Sequence, residues 1–258
     1  MIKTLGLQIF TLRNAMTDEA AVAESFKKMK ALGYDEGQTA GWYDLPVAKY
    51  AELAKDAGIK ICGTHCSFDT LVADADKAME DHDILGTKNI GIGGMPAAAR
   101  ADYDALKKFV EDANIFAEKI NKYGFKFTYH NHSFEFSKLG GERMMDVLVD
   151  GFDPKTTSFV LDTYWVQHGG GSVTGWMKKL AGRIDILHLK DMGISMESGK
   201  AAPYITEVGN GNINFDEVIK VAEEIGVKHY VVEQDTCPGD PFDSIKKSAE
   251  YIKARYMA

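Results

Sequence analysis

Four short apolar runs of this chain end in side chains that can hold a divalent cation. They are Phe125–His132 (FKFTYHNH), Ser158–Asp162 (SFVLD), Ile184–Lys190 (IDILHLK) and His229–Glu233 (HYVVE). Read as strands with a two-residue period, they put His130 on one face with Thr128 and His132, and Asp162 with Ser158 and Val160. The same period groups His188 with Ile186 and Lys190, and Glu233 with His229 and Val231. His130, Asp162, His188 and Glu233 can then point to one axis at a similar height. Two imidazoles and two carboxylates suit Mn²⁺, Zn²⁺ or Co²⁺, with Mg²⁺ less favoured by the nitrogen donors. A carboxylate at such a position is costly to desolvate, and a cation removes that cost while leaving positions open to substrate oxygens. The competing reading is a hydrogen-bonded polar cluster without a metal.

Elements must carry these residues to a common point. Gly33, Gly58, Gly86, Gly124, Gly151, Gly182 and Gly226 each follow a helix-like stretch and precede a strand-like run. Glycine just past a helix supplies the left-handed residue that ends it. The first unit shows the pattern. After the apolar run Gly6–Phe10, Thr17 and Asp18 offer an N-cap, and Val22, Phe26 and Met29 recur at helical spacing before Gly33. Further strands are expected near Tyr34–Gln38, Lys60–His65 and Asn89–Gly93, and the runs above supply those near Phe125–His132, Thr157–Asp162, Asp185–Lys190 and His229–Glu233. Strands alternating with helices through short connections imply a parallel sheet with right-handed crossovers. Eight units over 258 residues predict one domain, residues 1–258, of the α/β class: a single (β/α)8 barrel. No Gly-x-Gly-x-x-Gly opens the first helix, which disfavours a dinucleotide fold. His168-Gly169-Gly170-Gly171 lacks the following Lys-Ser/Thr of a P-loop and reads as a flexible rim loop. Residues 193–214 read as the longest irregular stretch, either covering the pocket or lying passively on the surface.

Composition narrows the partners. Hydrophobic residues make up 45% and charged residues 26%, as in ordinary globular proteins. A net charge of −8 disfavours nucleic acid and anionic membranes. Cys62, Cys66 and Cys237 are too few, and odd in number, for a disulfide framework. Buried thiols in a reducing compartment are expected instead. Met1–Gly6 opens directly on a strand-like segment without a signal-like pattern, and no run reaches the ~18 apolar residues of a membrane span, so the expectation is cytoplasmic. Composition does not assign an oligomeric state.

The chain resembles the xylose-isomerase-like superfamily, specifically its sugar phosphate isomerase/epimerase group. The motifs are Gly6-Leu7-Gln8-Ile9-Phe10-Thr11-Leu12-Arg13, Tyr129-His130-Asn131-His132, Asp162-Thr163-Tyr164-Trp165, His188-Leu189-Lys190-Asp191, Val208-Gly209-Asn210-Gly211 and Val232-Glu233. The resemblance implies one divalent metal, often Mn²⁺, at the ends of strands five to eight, and polyhydroxylated carbonyl substrates. It implies an isomerase or epimerase acting on a keto-sugar or related polyol. The chain departs from the group where His130 replaces a glutamate that usually works with the strand-eight glutamate as an acid/base pair. Gln38 also stands where a strand-two glutamate is common. Relatives with histidine-rich fifth strands act on keto-inositols or keto-glycosides by elimination, which makes a lyase or dehydratase the alternative.

These reactions share one demand: a C–H beside a carbonyl loses its proton and the enediolate is stabilised. A metal does the second as a Lewis acid, and a base within hydrogen-bond reach does the first. Glu233 is the first candidate for ligand and base, with His132 and Glu135 in reserve, although Glu135 also reads as an exposed loop charge. A cation lowers the basicity of its ligand, so a non-ligand base stays open. Lys190 can steady an oxyanion or form a rim salt bridge. Gln8 and His65 can bind hydroxyls, and Trp165 can cover a sugar face, with Trp42 a weaker candidate. His82, His168 and His229 read as structural or surface residues. No glycine-rich nest or dense arginine cluster marks a phosphate site, which favours an unphosphorylated substrate. An apurinic endonuclease fits poorly: Trp165 stands where an Asp-x-x-His would need its histidine, no Asp-x-His lies near strand seven's loop, and the chain is acidic. A non-catalytic sugar-binding barrel would keep the core and lose the metal set.

Overall fold

The computed structural model describes residues 1–197 and 199–257. Eight parallel strands form the wall of a barrel: β1 (Leu5–Gln8), β2 (Glu36–Thr39), β3 (Lys60–Thr64), β4 (Asn89–Ile92), β5 (Lys126–His130), β6 (Thr157–Asp162), β7 (Ile184–Leu189) and β8 (His229–Val232). Their order around the wall is β3-β2-β1-β8-β7-β6-β5-β4, with helices between successive strands. This is the (β/α)8 barrel that the alternation predicts. The strands are shorter than the apolar runs suggest. β1 stops at Gln8, and Ile9–Ala15 winds into a 3₁₀ helix because Gln8 Oε1 accepts the Phe10 N–H at 3.2 Å.

β3 and β4 close the circle without a regular ladder. Cys66 N–H donates to the Gly91 carbonyl and Asn89 Nδ2 to the Cys62 carbonyl, both at 2.8 Å. The Gly91 N–H donates to Thr64 Oγ1 at 3.2 Å. Only glycine allows this seam, because a Cβ on residue 91 would lie 2.3 Å from the Thr64 carbonyl oxygen.

Inside the barrel, strand parity sorts side chains into layers. Glu36 and His229 open their strands at the amino end. Cys62, Val160, Ile186 and Val231 form an apolar layer above them. Gln38, His130, Asp162 and His188 stand at the carboxyl end, all buried. A larger apolar core, with Phe26, Phe127, Phe159 and Leu187 among its members, lies between wall and helices.

Six of the seven glycine exits hold. Gly33, Gly58, Gly86, Gly124, Gly182 and Gly226 have φ between 73° and 87°. Gly151 does not: it is the last residue of helix Met144–Gly151, and the chain leaves through extended Phe152. Its glycine has another cause, since a Cβ there would meet Val110 of helix Tyr103–Asn121 at 2.7 Å. Gly169 and Gly171 also answer to packing, because a Cβ on either would fall within 2.8 Å of the Phe136 ring.

The stretch 193–214 is more regular than its sequence suggests. Asp191–Ser195 pairs antiparallel with Ala202–Thr206, and Ser198 lies outside the described residues. Asp191 then ties two sequence motifs together. Its Oδ1 accepts the N–H groups of Met192 and Ile213, at 2.8 and 3.1 Å. Its Oδ2 accepts those of Gly209 and Gly211, at 2.9 and 3.0 Å. The carboxylate sits so close that a Cβ on Gly211 would be 2.3 Å from Oδ1.

The three cysteines are unpaired, but only Cys62 is buried; Cys66 and Cys237 are half-buried. Among the described residues no helix is long and apolar enough to cross a membrane.

Replacing Asp191 by Ala removes four acceptor contacts and leaves the amides of Met192, Gly209, Gly211 and Ile213 without their charged acceptor. The expected loss is on the order of 3 kcal/mol in denaturant unfolding, with faster hydrogen exchange at residues 209–213.

Candidate metal centre

Residues at the carboxyl ends of β5 to β8 converge. His130, Asp162, His188 and Glu233 are at most 4% exposed, and one donor atom from each lies within 4.8 Å of all the others. Glu233 Oε2 is 2.8 Å from His188 Nδ1 and 3.8 Å from His130 Nε2. Asp162 Oδ2 is 3.4 Å from His130 Nε2 and 3.5 Å from His188 Nδ1.

Each ligand-type side chain is held from behind. Asp162 caps helix Thr163–His168: its Oδ1 accepts the Trp165 N–H at 2.9 Å, which turns Oδ2 to the cluster. The Asp162 N–H in turn donates to Asn131 Oδ1 at 3.0 Å. His130 Nδ1–H donates to the Gly93 carbonyl at 3.1 Å, leaving the Nε2 lone pair for the cluster. The tautomer of His188 follows from a chain of amides. Gln8 Oε1 is committed to the Phe10 N–H, so Gln8 Nε2 must donate, at 3.1 Å to Gln38 Oε1 and at 3.2 Å to His65 Nδ1. Gln38 therefore presents its oxygen to His188 Nε2 at 2.5 Å, and that nitrogen carries the proton. His188 Nδ1 is left to face the carboxylates. Imidazoles anchored through their far nitrogen are a common feature of metal sites.

Lys190 supplies positive charge from β7's end. It is fully buried, 3.2 Å from Glu233 Oε2 and 3.5 Å from Asp162 Oδ2, and also ion-paired with Asp235. Burial opposes its charge, but the three carboxylates outweigh this and hold its pKa above that of a free lysine. Burial likewise opposes charge on Asp162, yet Lys190 and the adjoining His130 and His188 rings hold its carboxyl well below the usual range. Lys190 and His188 do the same for Glu233. Burial also disfavours charged His188, but Glu233 and Asp162 push its pKa up to about 9. Once His188 gives up its proton to a metal, three carboxylates against one ammonium leave two negative charges, which one divalent cation cancels. Donor types, anchored tautomers and charge all fit such an ion.

The other expected site residues fall into distinct places. Burial and nearby His130 lower the pKa of His132 to about 3, so its ring is neutral; it stacks on Phe134, and its buried Nδ1 has no partner among the described residues. His65, held neutral by burial and by His130 and His188, accepts at Nδ1, so its proton sits on Nε2, a buried donor equally without a partner. Trp165 lies 5.3 Å from the His132 ring and 4.8 Å from Lys190 Nζ, with Nε1 unpaired in the same sense. Gln8 is buried and spent on the amide chain. Glu135 is not an exposed loop charge. It is fully buried and takes Tyr129 O–H and His132 N–H at 2.7 and 2.8 Å, and burial raises its pKa to about 7 despite those bonds. Both oxygens are thus engaged in shaping the loop that carries His132. Lys190 is no rim group but an interior one. Trp42 is half-buried against Tyr50 and His82. His82 is a core histidine bonded to Thr64 and Ala78, while His168 is exposed and stacked on Tyr164.

Sequence reasoning missed Asp235 and undervalued Gln38. Extending the two-residue period past Glu233 points to Asp235. The role of Gln38 needs the Gln8 contact, which no spacing reveals.

Fold and site together define an α/β barrel whose carboxyl-terminal mouth gathers a cluster capable of holding a divalent cation. The xylose isomerase-like TIM barrel family matches residues 26–255, and the chain belongs to that family. It is 24% identical to an inosose dehydratase of Clostridium perfringens over 163 residues, 58% of this chain and 54% of the relative. The chain thus spans about half the length of such relatives in the match. A sugar phosphate isomerase/epimerase from Parabacteroides distasonis has the same fold, with a TM-score of 0.83 at 24% identity over 99% of this chain and 95% of that one. So does a D-allulose 3-epimerase from Methylomonas sp. in complex with D-allulose, with a TM-score of 0.70 at 15% identity over 98% and 97%.

Metal analysis of purified protein is expected to give about one divalent ion at this centre, lost in Asp162→Ala. Gln38→Leu frees the His188 ring and should weaken metal affinity ~10–100-fold in a competition titration. Metal entry must displace the His188 proton, so affinity should rise with pH up to about 9. Calorimetry in buffers of different ionisation enthalpy would register the released proton.

Proposed function

We propose that the protein is a divalent-metal-dependent isomerase or epimerase that acts on a keto-sugar or related polyol by removing the proton beside the carbonyl. The observation that supports this most is the convergence of His130, Asp162, His188 and Glu233 beside a single ammonium that three carboxylates surround. A cation held by these four residues would act as a Lewis acid toward the substrate carbonyl and its enediolate; Mn²⁺ is favoured, with Zn²⁺, Co²⁺ or Mg²⁺ able to serve.

The chain's own groups divide the remaining work. Glu233 commits Oε2 to His188 and Lys190, while Oε1 accepts no hydrogen bond from the described residues. That free oxygen is the proposed proton acceptor. His132, neutral and with Nδ1 unpaired, is the second proton-transfer group, and Glu135 fixes its backbone. Lys190 balances negative charge developing on substrate oxygen. His65 Nε2–H is placed to donate to a hydroxyl, and Trp165 offers a flat face to the sugar's C–H groups.

A second reading is elimination, loss of water or an aglycone after the same first step. Two observations favour it. The acid/base pair of carboxylates that epimerisation uses in this group is replaced by one carboxylate and imidazoles, and His65 Nε2–H is placed to hydrogen-bond a leaving oxygen. The inosose dehydratase relatives point the same way.

Metal-loaded protein in deuterated water should exchange a substrate proton of a keto-sugar or keto-inositol, read by NMR. Glu233→Gln should slow exchange ~10²–10⁴-fold. Product mass separates the readings: unchanged for isomerisation or epimerisation, reduced by water or an aglycone for elimination. Absence of exchange across a panel of keto-sugars and keto-inositols at full metal loading would leave a sugar-binding barrel.

A further inference from the structure

A second group of metal-type donors lies at the opposite end of the barrel. Glu36, Cys62 and His229 each offer a donor atom within 4.8 Å of the others. Glu36 Oε2 stands 2.8 Å from His229 Nδ1. Glu36 and Cys62 are buried and His229 is half-buried.

Local structure brings them together for two separate reasons. β1 runs between β2 and β8, and residue 6 pairs with Glu36 on one side and Val231 on the other. Because residue 6 is glycine, no side chain stands in the gap across which Glu36 and His229 meet. A Cβ there would already be 3.0 Å from Val231 and 3.5 Å from the Cβ of Glu36. The register between β2 and β3 then shifts: Gly37 pairs with Ile61 but Gln38 pairs with Gly63. This bulge leaves Cys62 unmatched and directs its thiol to the barrel interior, where it joins Val160, Ile186 and Val231. That apolar layer separates the group from the mouth.

The site has an outlet. A cavity of about 1010 Å³ opens beside it, lined by Glu36, Cys62, Asp185, Lys228 and His229 among others. A thiolate, an imidazole and a carboxylate form a borderline-soft donor set. Three such ligands with one open position are what Zn²⁺ takes in reactive rather than purely structural sites, whereas Mg²⁺ and Ca²⁺ avoid sulfur. The competing explanation is a hydrogen-bonded Glu36–His229 pair that happens to lie beside a buried thiol.

We propose that Glu36, Cys62 and His229 form a second metal site, at the amino-terminal end of the barrel, that takes Zn²⁺ or Co²⁺ and leaves one coordination position facing the cavity. This site is independent of the reading given to the mouth.

Cobalt tests it directly, because only a thiolate ligand gives an intense near-ultraviolet charge-transfer band and the mouth cluster contains no cysteine. Metal-free protein titrated with Co²⁺ alone should bind about two ions per chain and develop the band. Cys62→Ser, a one-atom change, should bind about one ion and lose the band. His229→Ala, at a half-buried position, should lose the same ion. Asp162→Ala should lose the other ion and keep the band, and Cys66→Ser should change neither. Absence of the band in the wild type, or its survival in Cys62→Ser, overturns the proposal. Loss of both ions and the band in Asp162→Ala also overturns it, because that result makes the sites one.

Discussion

Charge burial governs this molecule. Asp162 and Glu233 sit inside the barrel with almost no access to water, and Asp235 joins them around a single ammonium, that of Lys190. Removing a carboxylate from water is tolerable only with a compensating partner. One lysine cannot compensate three carboxylates. The arrangement of His130, His188 and the amides behind them is intelligible as the means of presenting neutral donors to a cation that completes the balance. Without one, His188 keeps its proton and serves as a partial substitute.

Parallel strand pairing makes such a cluster possible. In the register of β6, β7 and β8, Asp162 faces His188 and His188 faces Val231, so Glu233 follows one step above. Neighbouring strands therefore deliver their last inward residue at nearly one height. What the strands cannot fix, the turns after them do. Asp162 turns with the helix that it caps, Glu135 braces the segment bearing His132, and Asp191 fastens the 209–213 loop beside the end of β7.

Much of this could be read before any coordinates. The four cluster residues follow from metal-type donors recurring at four strand ends, with parity in support, and six glycine exits mark the units. The failures have local causes. Gly151 carries the same sequence cue as the others, but its glycine answers to a contact with Val110, forty-one residues away in sequence. The hairpin of Asp191–Ser195 and Ala202–Thr206 was missed because Gly193 and Pro203 break strand patterning, and its pairing depends on the turn between. Glu135 reads as solvated because it is a carboxylate placed just past the end of its strand, although Phe134 and Phe136 flank it. Its partner Tyr129 lies on the outward side of β5, where the parity argument for His130 does not look. Lys190 looked like a rim residue because only the folded strand ends reveal that three carboxylates enclose it.

The disc of Val160, Ile186 and Val231 across the barrel has a kinetic meaning. Those three side chains carry no atom able to hand a proton onward, which leaves the Cys62 thiol as the one exchangeable group among the four members of the layer. A hydrogen lifted from a molecule bound at the upper opening, as proposed, would therefore meet the surrounding liquid most directly by way of that same opening. How long it would linger there, and whether it would go back to the carbon it came from, would then rest mainly with the loops above.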